Sequence, residues 1–259
     1  MEKQALELLR QLNAWWSSTL GQLVIQVETE KLIKVFPQIF GYHILLLGIV
    51  AQFKMIEYSV IPYQTVINPF HKDDGFAKTI TGRWDVLPFA SNSVDLVVLP
   101  HTLDFSEDAT TVIQEACRVL IPEGRLLVFG FNPFSLWRFK SYLTQERREK
   151  KTKPVNCELK SVGSIKRELR RQNFQIIDQD YFLFQPPMKN IRMMEKLGFL
   201  NKISRFGLKG LSGVYFIEAQ KKVEGMKAVH ISRALVYNKV NVGNAAVTSV
   251  NCSEEESIL

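Results

Sequence analysis

The chain is expected to fold as an α/β domain, a doubly wound and mostly parallel sheet with helices on both faces. Three observations point there. Short apolar runs alternate with amphipathic stretches of helical period, the texture of consecutive βα units. Ile44–Leu47 is apolar throughout and stops at Gly48, as a strand buried on both faces should. From Asp85 to Asn132 come an LPF turn, an apolar run, a His-containing loop, an amphipathic helix, a Pro-Glu-Gly turn and a second apolar run. That order describes one right-handed crossover between parallel strands.

In chain order, residues 1 to about 36 show helical periodicity at Leu6, Leu9, Leu12 and Trp16, then Leu20, Leu23, Val27, Leu32 and Val35, with Gly21 read as the break between two helices. Trp15 and Trp16 are expected to pack over a sheet edge or to roof a cleft. Pro37 and Gly41 end the pattern. Ile44–Leu47 is the first strand, Thr65–Ile67 the second, Lys78–Thr81 a weak third, and Val94–Leu99 the fourth, entered through a polar SNSVD turn. Asp108–Leu120 reads as a helix, with Ser106 or Asp108 as its cap and acidic side chains at its positive end. Arg125–Phe131 is the fifth strand, Val162–Gln172 an amphipathic helix, and Phe174–Phe184 and Ser212–Ala219 are strand-like. A Met- and aromatic-rich insertion, 186–206, lies between the last two, and the polar, aperiodic stretch 223–259 is expected to be a disordered tail. The expected division is a helical cap at 1–40, one α/β domain at 41–222, and the tail.

Bulk composition narrows the function. At 259 residues, 46% hydrophobic and 23% charged, the chain suits one α/β domain with additions. Its net charge of +7 is concentrated between Arg138 and Arg171, which hold 12 Lys/Arg against 4 Glu, so attraction to an acidic partner would be local. Cys117, Cys157 and Cys252 are far apart and have no metal-ligand spacing, which disfavours a disulfide framework or a structural zinc and fits a reducing, cytoplasmic setting. No apolar run approaches the roughly 20 residues of a spanning helix, and no Walker loop, metal cluster or Ser/His/Asp order stands out.

In an open α/β sheet a ligand sits beyond the C-terminal ends of the strands, where the strand order reverses. That rule selects Gly48–Phe53, Asn68–Phe70, Arg83–Phe89 and Pro100–Asp104, with Phe131–Phe134 bordering the same mouth. DVLPF at 85–89, LPHTL at 99–103, EACRVL at 115–120 and IPEG at 121–124 resemble class I S-adenosylmethionine (SAM)-dependent methyltransferases of the large group that includes ubiquinone-biosynthesis C-methyltransferases. LPHTLDFSED and GFNPFSLW further resemble a small proteobacterial branch of methyltransferase-like proteins. The resemblance covers roughly residues 10–220 and is dense between 85 and 138. It implies a Rossmann-like, seven-stranded sheet ending in an antiparallel hairpin, with SAM as cofactor.

Carried onto this sequence, the resemblance implies that Gly48, Asn68, Asp85, Val86, Leu87, Pro100 and His101 line the cofactor, that Pro100–Leu103 face the transferred methyl, and that His101 and Asp104 are the candidate catalytic residues. The family's first loop, D-x-G-x-G-x-G, lets backbone approach the methionine and ribose parts of the cofactor. Here only Gly48 matches; Val50 and Gln52 hold the second and third glycine positions, Leu46 replaces the acid, and the ribose-binding acid after the second strand is absent, with Asn68 nearest and Asp73 and Asp74 a few residues on. A different loop shape is therefore expected. Arg83 stands at the family's adenine-reading position, so Trp84 is a candidate to stack on a base and Asp85 to accept the adenine amine.

In-line methyl transfer needs alignment and exclusion of water; a base such as His101 helps only when the acceptor must lose a proton. Both His101 and Asp104 have a second reading, as helix-capping or cleft-lining residues. Three functions stay open: a SAM-dependent methyltransferase for a small or medium acceptor, a methyltransferase-fold ligand- or protein-binding module without catalysis, and an RNA or DNA methyltransferase using the basic 138–171 segment. The N-terminal helices and the 186–206 insertion would close over the substrate.

Overall fold

The structure is a computed structural model and describes residues 15–69, 79–135, 159–184 and 212–223. The expected 186–206 lid, the tail from 224 and the basic stretch 138–158 lie outside these residues, as do Asp73 and Asp74.

Seven strands form one sheet: β1 (His43–Leu47), β2 (Tyr63–Asn68), β3 (Thr79–Thr81), β4 (Val94–Pro100), β5 (Leu120–Phe131), β6 (Phe174–Phe182) and β7 (Val214–Lys221), in the order β3-β2-β1-β4-β5-β7-β6. The first five run parallel and β7 is antiparallel to both β5 and β6. The doubly wound sheet with a terminal hairpin is thus present. Leu45 pairs with Thr65 on one side and Val97 on the other, so β1 is the centre from which the order reverses.

Side-chain alternation divides the core. Leu45, Leu47, Val97, Leu99, Leu126 and Val128 face one layer, built by α3 (Ala109–Val119) and α4 (Val162–Arg171). Ile44, Leu46, Leu96, Val98, Leu127 and Phe129 face the other, covered by α1 (Thr19–Val35). A continuous apolar strand is required precisely where both faces are covered, hence the texture of Ile44–Leu47.

The N-terminal break falls earlier than Gly21. Ser18 is the N-cap of α1, its hydroxyl accepting from the Gly21 N–H at 3.2 Å. Gly21 sits in the first turn because a Cβ there would lie 2.3 Å from the Trp15 carbonyl oxygen. The buried stripe of α1 is Gly21, Val24, Ile25, Glu28, Leu32 and Val35, rotated about one residue from the expected Leu20, Leu23 and Val27 set. A glutamate therefore sits in the middle of an apolar face. Lys31, one turn farther, bonds Asp178 (2.8 Å) and Asp180 (3.2 Å) on β6, fastening the helix across the sheet.

Candidate functional site

The crevice predicted between the C-terminal ends of β1 and β4 is built from backbone turns. The Gly48 N–H bonds the Ile67 carbonyl at 3.1 Å, keeping β1 and β2 paired to their ends. The chain then enters a 3-10 turn, Val50–Met55, in place of a glycine loop. Within it Gln52 is 2% exposed: its Oε1 accepts the Ile49 N–H at 3.1 Å and its Nε2 donates to the Pro100 carbonyl at 3.0 Å. Asn68 closes β2 and is buried.

The 83–89 segment has a different logic. The Trp84 indole N–H bonds the Ile67 carbonyl at 2.9 Å and the ring packs in the core, so it anchors the segment and is not presented as a stacking face. Arg83 makes a two-pronged pair with Asp85, and the guanidinium beside it holds the Asp85 carboxyl below its ordinary range. Val86 is 65% exposed while Leu87 is buried. The Glu115 carboxylate accepts the Leu87 N–H (2.9 Å), and Arg118, paired with Glu115, donates to the Leu87 and Phe89 carbonyls at 3.1 and 2.9 Å. The E-x-x-R spacing on α3 is thus a clamp that fixes the LPF turn to the helix.

After β4 the chain bends at His101, which takes a left-handed conformation at φ 60° before the short helix α2 (Thr102–Phe105). That turn carries its imidazole under α1. Glu28, His101 and Asp104 side chains are each 0% exposed and form one line: His101 Nε2 lies 2.6 Å from Glu28 Oε1 and Nδ1 3.0 Å from Asp104 Oδ2. Asp104 Oδ2 also accepts the Phe131 N–H at 2.8 Å, tying the loop to β5. The ring stacks on Phe131 (3.9 Å between centroids) and meets Trp16 at 5.3 Å; Trp15 meets Phe131 edge-on at 5.5 Å. Trp16 thus covers the histidine and Trp15 packs edge-on against Trp16 and Phe131.

Burial opposes a charge on His101, but the Glu28 and Asp104 carboxylates outweigh it and lift the imidazole to about 9. Burial in turn raises Glu28 and Asp104 above ordinary carboxylates, their contacts with His101 offsetting part of the rise. Glu28 Oε2, Asp104 Oδ1 and the Tyr215 hydroxyl are buried and have no hydrogen-bond partner among the described residues. His101 and Asp104 were singled out by sequence; Glu28 and Gln52 were not. The available signals were a glutamate spaced four residues from both Val24 and Leu32, and a long amide in a position the family leaves to glycine.

Val86, in the segment that follows β3, is exposed and Asn68 at the end of β2 is buried, whereas the β1–β4 side of the crevice is filled by the Gln52 amide. As it stands, the crevice does not match the amino-acid end of SAM. Among the described residues no His/Cys/Asp/Glu cluster could hold a metal, and no helix is long and apolar enough to cross a membrane.

Comparisons with known proteins agree with this architecture. Residues 47–128 match the family described as methyltransferase domain. The chain is 27% identical over 174 residues to the uncharacterised protein YafS of Escherichia coli, covering 67% of this chain and 70% of that one. It is 29% identical over 139 residues to malonyl-[acyl-carrier protein] O-methyltransferase 1 of Coxiella burnetii, covering 53% of this chain and 48% of that one. Among solved structures, a SAM-dependent methyltransferase from Thermotoga maritima, described as a possible histamine N-methyltransferase, superposes with a TM-score of 0.57 at 15% identity, covering 83% of this chain and 97% of that one. The chain thus shares the fold of SAM-dependent methyltransferases of known structure, and residues 47–128 within it match a methyltransferase domain.

Proposed function

We propose that the protein is a SAM-dependent methyltransferase acting on a small or medium acceptor. The observation that carries this reading is the join between the matched domain and the β1–β4 switch point, where Gly48 follows β1 and Asn68 and Pro100 end β2 and β4. On this reading the cofactor supplies the methyl group; Gly48, Asn68, Asp85, Val86, Leu87, Pro100 and His101 are the proposed lining, and His101 with Asp104 the proposed polar pair on the acceptor side. What these residues do is positional. Pro100 and the left-handed His101 fix the end of β4, while Asp104 holds the imidazole against β5. Trp16, with Trp15 packed against it, keeps water from the imidazole.

Ultraviolet crosslinking of the whole chain to methyl-labelled SAM tests the assignment. Label recovered in the peptides spanning 47–56 or 83–104 is the expected result. Label confined to other peptides would remove the proposed site.

One observation favours the reading of a ligand- or protein-binding module without catalysis: Glu28 occupies the imidazole and the whole line is sealed at 0% exposure. Release of S-adenosylhomocysteine from SAM in the presence of candidate acceptors separates the two, since a module of that kind binds without turnover. The nucleic-acid reading retains Arg167, Arg170 and Arg171, exposed on α4.

A further inference from the structure

The Gln52 carboxamide holds two backbone groups, the Ile49 N–H and the Pro100 carbonyl. One acceptor and one donor on a single short head group are also what the carboxylate and ammonium of an α-amino acid present. A ligand with an amino-acid end would compete with Gln52 for those same partners. Nor is there room for both. A Cβ built on Gly48 would lie 2.6 Å from Gln52 Oε1, 2.8 Å from Leu46 Cδ2 and 3.2 Å from Pro100 Cγ, so the space beside the end of β1 is already filled. In the 83–89 segment that follows β3, by contrast, Val86 is exposed.

We propose that Gln52 is a specificity-determining residue of the crevice, its amide standing in for the amino-acid end of the cofactor so that binding SAM or S-adenosylhomocysteine requires the side chain to swing out. The inference rests on the reading of this crevice as a cofactor site. Because Gln52 is attached to the turn it competes at high effective concentration, which weakens any ligand that must displace it. An adenine nucleoside thioether lacking the amino-acid end, such as 5′-methylthioadenosine, leaves both Gln52 hydrogen bonds in place. The crevice therefore discriminates against the complete cofactor to a degree set by one side chain.

The test compares S-adenosylhomocysteine and 5′-methylthioadenosine by calorimetry on the wild-type chain and on Gln52→Ala and Gln52→Gly. Expected is a gain of tenfold or more for S-adenosylhomocysteine in both variants, with 5′-methylthioadenosine changed less than threefold. Equal changes for the two ligands, or weaker S-adenosylhomocysteine binding in the variants, would overturn the proposal while leaving the cofactor site standing. No binding of either ligand to any of the three proteins would instead remove the cofactor reading and the proposal with it. Side-chain amide NMR on the wild-type chain gives a second reading independent of the variants' folding. The Gln52 NH2 resonances should move on adding S-adenosylhomocysteine and stay in place with 5′-methylthioadenosine; the reverse pattern would also overturn it.

Discussion

Glu28, His101 and Asp104 are withdrawn completely from water, so their protons are set by one another. His101 has a higher pKa in the fold, about 9, than the 6.5 of an ordinary imidazole. The folded state thus binds that proton more tightly than the unfolded chain. Its stabilising contribution is complete below about pH 6.5 and is lost as pH rises through about 9. Glu28 and Asp104, also raised, act in the same direction at lower pH. Denaturant midpoints should therefore fall between pH 7 and 9.5, and His101→Gln should flatten the slope; a midpoint that climbs over this range would contradict the shared-proton line. Glu28→Ala removes one partner of a buried charge and should cost about 3 kcal/mol in denaturant unfolding. Sequence identified His101 and Asp104 because a position after β4 could be inferred from the switch-point rule. It could not reveal Glu28, which is 73 residues away from His101 along the chain and meets it only once α1 crosses the sheet.

Two elements hold this arrangement in register. α1 starts at Ser18, buries Val24, Ile25, Leu32 and Val35, and is tied to β6 through Lys31. Ser18→Ala removes the cap on the Gly21 N–H and should cost about 1 kcal/mol in thermal unfolding; no loss would mean that the cap contributes nothing to docking the helix. The second element is α3, whose Glu115 and Arg118 grip the LPF turn. Glu115→Ala leaves the Leu87 N–H without its acceptor and should speed hydrogen exchange at Leu87 at least tenfold, with slower change at Val112 inside the helix. Several bounds were legible to within two residues, as at Val94–Pro100 against the expected Val94–Leu99, but β5 starts at Leu120 and not at the expected Arg125, because Leu120 already pairs with Val94 ahead of the Pro-Glu-Gly turn. The 3-10 turn at Val50–Met55 was legible only as a departure from the glycine pattern, because its shape depends on a side chain reaching across to β4.

For the molecule as a whole, the reversal of strand order at β1 and β4 follows from the alternation of strands and helices along the chain, the antiparallel β7 was implied by the family resemblance alone, and the sheet has both. Charge distribution is a separate matter. Arg167, Arg170 and Arg171 lie exposed on α4, which packs on the edge strand β6, three places from β4 in the sheet order. Reversing all three to Glu should leave S-adenosylhomocysteine affinity within twofold, and a large loss would mean that α4 takes part in the cofactor site. The central claim, that a class I fold with an amide-plugged first turn still takes the cofactor, is tested most directly by calorimetric titration of the full chain with SAM and S-adenosylhomocysteine. One site with a Kd at or below about 100 μM for both is expected; no heat from either, at protein concentrations able to detect that affinity, would contradict the claim.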